Sequence, residues 1–244
     1  MDDKELLKSR MEDLSQRAFN RNYTTYSEFL NIEEISRLKS LRLPTNYILY
    51  GGYNNAERCI AGFSCEGTDG FPIYCIEISP VNEKFADKLS HRDFLGSLMN
   101  LGINRNLLGD IAIKNNTGYL FCLSNISKYI IENLSRIKHT SVKCSLYDGA
   151  PDFVNQLPQS EEIIVSSLRA DAVIASVYNL SRKVTGELFS LGRVFVNSKQ
   201  TYKDSVLLKN GDVVSVRGYG RFIFEEQLRE TKKHRYIVSV RIYR

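Results

Sequence analysis

The stretch 181-SRKVTGELFSLGRVFVNSKQ-200 decides how the C-terminal part of this chain is interpreted. Its pattern predicts a short amphipathic helix capped by Ser181, which ends at Gly192 and is followed by a strand ending at Asn197-Ser198. Cations crowd this helix-to-strand corner: Arg182, Lys183, Arg193 and Lys199. The corner is therefore either an ordinary solvated surface or a place where phosphate binds.

The charge distribution favours a polyanionic partner. The 244-residue chain has a net charge of +5, yet residues 166–244 hold fifteen Lys and Arg against seven Asp and Glu, a net of +8. The first 165 residues hold eighteen cations against twenty-one acids, a net of −3. Positive charge gathered in one terminal segment is typical of nucleic-acid binding, and the alternative is a basic surface that binds nothing.

The composition indicates an ordinary globular protein with a sizeable core, since 43% of its residues are hydrophobic and 25% are charged. The sequence shows neither a long apolar run nor a signal-peptide core, so we expect a cytoplasmic protein with no membrane partner. Five cysteines without a C-x-x-C pair are expected to be buried, reduced thiols. Three scattered histidines argue against a metal site, and we expect a monomer without a cofactor.

Residues 1–71 are predicted to form an N-terminal α/β domain. Apolar residues recur at helical spacing over residues 6–14 and again over 26–41, where Ser27 is a candidate cap for the second helix. The strand-like runs NYILYGG and RCIAGFSC follow, and Thr68-Asp69-Gly70 predicts a turn before the next strand.

Residues 72–157 are predicted to form a ferredoxin-like, RNA-recognition-module-like middle domain with a linker. From FPIYCIEI to TSVKCSLY the patterns run strand, helix, strand, strand, helix, strand, which is the ferredoxin-like order. The same fold carries the common module that binds single-stranded RNA. The Pro- and Gly-containing stretch over 148–165 is interpreted as the linker.

Residues 158–244 are predicted to form a C-terminal domain of two short helices followed by strands, so the fold class is α+β. The first helix contains LRADAVIASVY, the second begins after Ser181, and the turns KNGD and RGYGR separate the strands. The predicted core beside the corner consists of Val184, Leu188, Leu191, Val194 and Val196.

This C-terminal domain resembles the RNA-binding domain first seen in ribosomal small-subunit protein four, which we call the S-four-type domain. The resemblance rests on the patterns Arg-x-Asp, Ser-Arg, Gly-x-Val-x-Val-Asn and Gly-Asp-x-Val-x-Val. Ala170 and Phe195 depart from the usual residues, and neither departure removes a cation. The matching residues are Arg169, Asp171, Ser181, Arg182, Gly192, Val194, Val196, Asn197, Gly211, Asp212, Val214 and Val216.

From about residue 70 to its end, the chain resembles the bacterial YlmH family. The stretches 217-RGYGR-221 and 91-HRDFLGSLMNLGINRNLLGDI-111 carry this resemblance. It implies a ferredoxin-like middle domain, a C-terminal S-four-type domain and an RNA-binding protein, which we expect to be non-catalytic because the sequence shows no assembled catalytic constellation. It further implies ribosome-associated quality control, with binding to large-subunit ribosomal RNA and peptidyl-tRNA and support of C-terminal tailing of the nascent chain. The family also carries a link to cell division.

The predicted RNA-binding residues combine phosphate donors with one aromatic side chain. A helix N-terminus presents free N–H groups, Arg offers paired donors and Lys a point charge. A tyrosine between two arginines, next to glycines that let a backbone come close, is placed to stack on a base or ribose. The predicted set is Arg169, Ser181, Arg182, Lys183, Arg193, Asn197, Lys199, Arg217, Tyr219 and Arg221, with His91 and Arg92 as a second RNA-facing edge.

No catalytic constellation is complete in the sequence. The triplet 91-HRD-93 lacks the following asparagine and the nucleotide loop of a kinase, so it is interpreted as a helix start capped by Ser90. Tyr119 and Phe121 either stack bases or face the core, and the frequent burial of aromatic residues favours the core. Two alternatives stay open: an RNA-modifying enzyme (pseudouridine synthase or methyltransferase type) with an S-four-type delivery module, and a cell-division scaffold.

Overall fold

The computed structural model of the chain describes residues 3–68 and 70–243. Two compact α+β units are found, one containing residues 1–34 and 40–156 and the other residues 35–39 and 157–244. The boundary at 156/157 lies one residue from the predicted start of the C-terminal domain. Residues 1–34 and 40–71 fall within the same unit as the predicted middle domain up to residue 156, so the boundary at 71/72 stays a prediction.

The N-terminal part of the chain contains two helices and a small antiparallel sheet, as the patterns predict. The sheet has the order β1-β3-β2. Strands β2 and β3 form from the β-branched and aromatic runs that were predicted to be extended, whereas β1 was not predicted. The elements are α1 (Asp3–Arg21), β1 (Thr25–Tyr26), α2 (Ile32–Leu38), β2 (Asn46–Tyr50) and β3 (Ile60–Ser64). The predicted turn at Thr68-Asp69-Gly70 includes residue 69, which lies outside the described residues.

The second predicted helix begins later than expected, and Ser27 does not cap it. Ser27 follows strand β1, where its hydroxyl donates to the carbonyl of Glu28 and accepts from the N–H of Ala61. Helix α2 starts at Ile32, and the side chain of Asn31 accepts from the N–H groups of Glu33 and Glu34 at 2.9 and 3.0 Å. Pairing with β3 therefore overrides the helical spacing over residues 26–31.

The ferredoxin-like order of the middle domain is confirmed. Its sheet has the order β5-β6-β4-β8-β7, and neighbouring strands are antiparallel. Asn115 and Asn116, both with positive φ, form the two-residue turn between β5 and β6. The elements are β4 (Ile73–Pro80), α3 (His91–Asn100), β5 (Leu108–Lys114), β6 (Thr117–Leu123), α4 (Ser124–Asn133), β7 (Arg136–Ile137) and β8 (Thr140–Tyr147).

Helices α3 and α4 cover one face of this sheet and form its core. Phe94 and Leu98 of α3 and Ile130 of α4 are fully buried against Ile76 and Leu120 of the sheet. Phe94 lies directly over Gly118, where an added Cβ would stand 2.5 Å from the ring. The glycine therefore admits the aromatic ring that closes the core.

Two half-buried arginines tie the N-terminal segment to the middle domain. Arg58 donates from Nε to the carbonyl of Leu108 at 2.9 Å and from Nη2 to that of Phe29 at 3.1 Å. Asp110 accepts from the Tyr53 hydroxyl at 2.8 Å and from two backbone N–H groups of the same loop. Burial lowers the pKa of Arg58, and it lowers that of Arg105 to about 10. These contacts explain why both parts belong to one compact unit.

The predicted cap of α3 is present as a reciprocal capping box. The Asp93 carboxylate accepts from the N–H and the hydroxyl of Ser90 at 2.8 and 2.6 Å, and Lys138 lies 2.8 Å from the same oxygen. The hydrogen bonds from Lys138 and Ser90 lower the pKa of Asp93 from 3.8 to about 2. Asp93, the acidic residue of the HRD triplet, thus caps helix α3 and pairs with Lys138.

Asp93 should therefore stabilise the fold in its ionised form. Because its folded pKa of about 2 is below the ordinary 3.8, its contribution is complete above about pH 4 and lost as the pH falls through 2. We expect Asp93→Asn to be less stable than the wild type at pH 6 and the two to converge toward pH 2. Urea titrations across this range test it, and a stability gap independent of pH would contradict it.

The second unit has one sheet with two helices, in the order β11-β10-β12-β13-β14-β9. Its core joins helix residues such as Val173, Ile174 and Phe189 to strand residues such as Phe222 and Val238, all at most 1% exposed. The elements are β9 (Ser160–Val165), α5 (Ala170–Val177), α6 (Arg182–Ser190), β10 (Val194–Val196), β11 (Lys199–Gln200), β12 (Asp212–Val216), β13 (Gly220–Glu230) and β14 (Tyr236–Tyr243).

Two predictions for this unit are wrong in part. The linker proposed over 148–165 ends early, because residues 160–165 form the edge strand β9 and pair with β14. Leu191 was predicted to be in the core but is 64% exposed, whereas Phe189 is 1% exposed and takes that role. Leu191 lies just past the last turn of α6, where the helix has turned its apolar face away.

Candidate nucleic-acid interface

The start of helix α6 has the predicted capped geometry. Ser181 is the N-cap, and its hydroxyl accepts from the N–H of Val184 at 3.3 Å. Arg182 and Lys183 follow in the first turn, and both are exposed. The positive end of the helix and two cationic side chains therefore face solvent together.

Arg193 and Arg217 are brought side by side by the sheet. Strand β10 pairs with β12 through Val194 and Val216, and the N–H of Arg217 donates to the carbonyl of Arg193 at 2.9 Å. Both arginines are exposed. Two cations distant in sequence thus share one end of the sheet.

Gly192 makes the turn between α6 and β10 possible. Its φ is +63°, and an added Cβ would stand 2.7 Å from Nε2 of Gln200 and 2.9 Å from the ring of Tyr202. Gln200 also donates to the Gly192 carbonyl at 2.7 Å. A side chain at this position would be strained and crowded, so the position of Arg193 depends on the glycine.

Arg169 is occupied by acidic partners. Its guanidinium donates to both carboxylate oxygens of Asp171 at 3.0 and 2.9 Å, and Asp204 lies 3.5 Å away. The hydrogen bond that Arg169 donates to Asp171 raises the pKa of Arg169. Arg169 lines a shallow cleft of about 210 Å³ together with Arg182. Its predicted contact with RNA stays a prediction, and its charge is already partly balanced.

Asn197 closes a turn with its side chain. Asn197 and Ser198 both have positive φ between β10 and β11. The Asn197 amide donates to Asp212 at 2.9 Å and accepts from the N–H of Val213 at 2.9 Å. Asn197 and Asp212, two residues of the S-four-type pattern, are therefore joined by a hydrogen bond that fixes this turn. Lys199, the first residue of β11, is exposed.

The side chains of Tyr219 and Arg221 each contact the ring of another residue, a different tyrosine in each case. The ring of Tyr219 packs against that of Tyr178 with 5.6 Å between centroids, and Tyr219 remains 42% exposed. The guanidinium carbon of Arg221 lies 4.0 Å from the ring centroid of Tyr243. Tyr219 is thus held from one side and offers the rest of its surface to solvent.

Four predicted cations differ from the others in their surroundings. Within residues 3–68 and 70–243, no salt bridge is formed by the side chains of Arg182, Lys183, Arg193 and Lys199. We call these residues the corner cations. They keep their full charge available to a phosphate.

His91 and Arg92 lie in the other compact unit, at the start of α3. Loss of hydration together with the nearby Arg105 lowers the pKa of His91. The imidazole is therefore neutral at pH 7 and adds no charge for binding phosphate. Their assignment to an RNA-facing edge stays a prediction.

The aromatic pair of strand β6 faces the protein interior. Phe121 is 1% exposed, and its ring lies 4.9 Å from that of Tyr53. Tyr119 makes edge contacts with Tyr147 and Phe153 at 5.2 and 5.5 Å between centroids. The N-terminal segment and the stretch after β8 thus cover the sheet face that would stack bases in an RNA-recognition module. The core interpretation is confirmed for Phe121.

The sequence reasoning missed the basic turn between β13 and β14. It contains Lys232, Lys233 and Arg235, all exposed. The run 231-TKKHR-235 between two long strand patterns was a sufficient signal.

Among the described residues, no group of three or more His, Cys, Asp or Glu side chains is placed to hold a metal ion. The five cysteines are free thiols, and Cys65 is exposed rather than buried as predicted. Burial raises the pKa of Cys75 and of Cys122 to about 12, so these two stay protonated.

Comparison with known proteins places this architecture in a class. Residues 67–149 match the family model described as a putative RNA-binding domain in YlmH. The chain is thus one of the α+β proteins that carry this type of domain.

The relative named ribosome-associated protein quality control protein P2, from Bacillus subtilis strain 168, is 30% identical over 199 residues, which cover 78% of this chain and 75% of that protein. The chain belongs to the YlmH family, as its sequence predicted. The cell division protein ylmH from Streptococcus pneumoniae aligns in structure with a TM-score of 0.46 and 16% identity, over 60% of this chain and 92% of that one. In the described part of the chain, no helix has the length and apolar character to span a membrane.

Proposed function

We propose that this protein binds ribosomal RNA through its C-terminal unit and acts without catalysis in ribosome-associated quality control. The single observation that supports this most is the set of corner cations, which carry no salt bridge among the described residues. The B. subtilis relative bears the name of a ribosome-associated quality control protein. Large-subunit ribosomal RNA and peptidyl-tRNA are the partners we propose.

The corner suits a phosphodiester backbone better than a base. The start of α6 offers backbone N–H groups and its positive dipole end, with Arg182 and Lys183 in the same turn. Arg193 and Arg217 add two forked donors at the paired ends of β10 and β12, beyond the other end of α6. Donors of this kind recognise phosphate oxygens in any sequence, so we propose that the corner positions the protein on structured RNA.

A non-catalytic role agrees with how the acidic and sulfur groups are used. Asp93, Asp110 and Asp171 are each bound by protein donors. A base or nucleophile needs a partner geometry that leaves it open to substrate. We further propose a cytoplasmic monomer with an S-four-type C-terminal domain, and we expect no turnover of RNA, nucleotide or peptide substrates.

The two compact units allow the location of binding to be tested. We expect residues 158–244 alone to bind structured RNA and residues 1–157 to bind it far more weakly, because of the charge split of +8 over 166–244 against −3 over the remainder. Filter binding with both fragments, each checked for folding by circular dichroism, measures this. Equal affinities of the folded fragments would contradict the proposal.

A further inference from the structure

The hairpin of β13 and β14 carries a well-formed basic tip. The tip, Thr231–Arg235, joins strands of eleven and eight residues. Thr231 closes it, since its N–H donates to the Arg235 carbonyl at 2.7 Å and its hydroxyl accepts from the Arg235 N–H at 3.1 Å. His234, with a φ of +54°, donates from its N–H to the Thr231 carbonyl at 3.0 Å. The backbone of the tip is thus fixed by its own hydrogen bonds.

The cations of this tip are exposed and carry no acidic partner. Lys232, Lys233 and Arg235 form no salt bridge with any residue that the structure describes. The nearest acid in sequence, Glu230, accepts instead from the His234 ring at 2.7 Å. Three positive charges within four residues therefore face solvent.

The tip is far from the corner. Gly220 pairs with Val216 beside Arg217, whereas Glu230 pairs with Tyr236 at the tip. The nine residue-to-residue steps from Arg221 to Glu230 span about 30 Å at about 3.3 Å each. Register shifts at Phe224/Glu226 and Gln227/Arg229 twist the outer part of the hairpin. Arg217 and the tip thus lie near opposite ends of the long hairpin.

The surface between the two ends is acidic. Glu225 is held by Ser160, Ser239 and Arg241, and their hydrogen bonds lower its pKa, so it stays charged. Glu226 is exposed beside it, and Glu162 on the neighbouring strand pairs with Arg229 at 3.6 Å. Glu225 and Glu162 are each paired with an arginine of this surface, so Arg241 and Arg229 are not available to a phosphate backbone. We therefore place the phosphate contacts at the two ends.

We propose that Lys232, Lys233 and Arg235 form a second phosphate-binding site, which grips the same structured RNA as the corner at a second point. This inference rests on the proposed function of the corner. The two sites bind phosphates about 30 Å apart, a separation of roughly ten base pairs at about 3 Å per pair. The tip adds affinity only for an RNA long enough to reach both ends, since the second contact then becomes intramolecular.

The test uses the full chain with Lys232→Gln, Lys233→Gln and Arg235→Gln combined. Affinities are measured for RNA hairpins with stems of about 6 and about 20 base pairs across a salt series. We expect roughly tenfold weaker binding of the long stem, a salt slope flatter by up to about 3, and unchanged binding of the short stem. The charge-matched control carries Lys4→Gln, Lys8→Gln and Lys128→Gln on exposed helix positions, and we expect it to bind both stems like the wild type.

Failure of this inference is distinguishable from failure of the proposed function. If the tip variant binds the long stem normally while the alanine variant of Arg182, Arg193 and Arg217 binds both stems weakly, the second site is refuted and the corner stands. If the tip variant weakens both stems equally, the tip acts only through the general positive potential of the protein, and the second site is also refuted. If neither variant changes binding, both proposals are wrong.

Discussion

Replacement of Arg182, Arg193 and Arg217 together by alanine is expected to lower the affinity for structured RNA by roughly 100-fold at physiological salt. Each charge-assisted contact to a phosphate contributes about 1–1.5 kcal/mol here, toward the lower end of the usual range because the site is exposed. Three such contacts amount to about 3–4.5 kcal/mol, which is about two to three decades in affinity. The loss should be the same for RNAs of different sequence, because phosphates carry no sequence information.

The salt dependence separates phosphate contact from a general loss of fit. Each contact releases condensed counterions, so the slope of log affinity against log salt should flatten by up to about 0.9 for each arginine lost. Arg182→Ala and Arg193→Ala alone should each show one such step. Arg182→Lys should fall between wild type and alanine, because lysine keeps the charge and loses the forked donors.

The folded state should survive these substitutions. Arg182, Arg193 and Arg217 are exposed and lie outside the buried cluster of the second unit. Thermal unfolding of the triple variant should therefore resemble that of the wild type. A matched control replaces Arg17, Arg21 and Arg229 by alanine and should bind RNA normally. Unchanged affinity and slope in the Arg182, Arg193 and Arg217 variant would show that the corner is only a solvated surface.

Replacement of Phe121 by alanine is expected to lower the free energy of unfolding by about 3–5 kcal/mol, the usual cost of removing a buried phenyl ring. Phe121 is 1% exposed and packs against Tyr53 and the segment containing Phe29. Because the ring faces the interior, RNA affinity of the folded variant should equal that of the wild type. Chemical denaturation and filter binding measure the two effects separately.

The neighbouring strand offers a control for Phe121. Tyr74→Ala removes an aromatic ring that is 49% exposed on β4, so its effect on stability should be much smaller. A Phe121→Ala protein with normal stability and weakened RNA binding would overturn the assignment of this ring to the core. It would restore base stacking as the role of Tyr119 and Phe121.

Much of the fold was predictable because local signals agreed with tertiary contacts. The middle domain shows alternation in its strands, amphipathic spacing in its helices and the two asparagines of its tight turn. Ser181 and Gly192 likewise mark the ends of α6 by their own chemistry. At such positions the local sequence alone predicts the structure.

The errors arose where a distant partner decides the local structure. Residues 26–31 have helical spacing, but Tyr26 pairs with Gly62 of β3 and Leu30 with Cys59. Residues 160–165 look like a linker until β14 supplies hydrogen bonds. The site shows the same limit. The cations were visible in the sequence, whereas the occupation of Arg169 by Asp171 and of Asn197 by Asp212 depends on the folded chain. Charge pattern predicts a binding surface, and folding decides which charges remain available.

The covered face of the middle sheet has a consequence for dissecting this protein. The family-matched stretch 67–149 contains Cys75, Phe121 and Leu123, but the side chains that shield them include Phe29 and Ile60 from the N-terminal segment. Excised alone, that stretch would present a contiguous apolar aromatic patch to water, and such patches promote self-association. We therefore expect the stretch 67–149 to stay monomeric in solution only when the residues that precede it are kept.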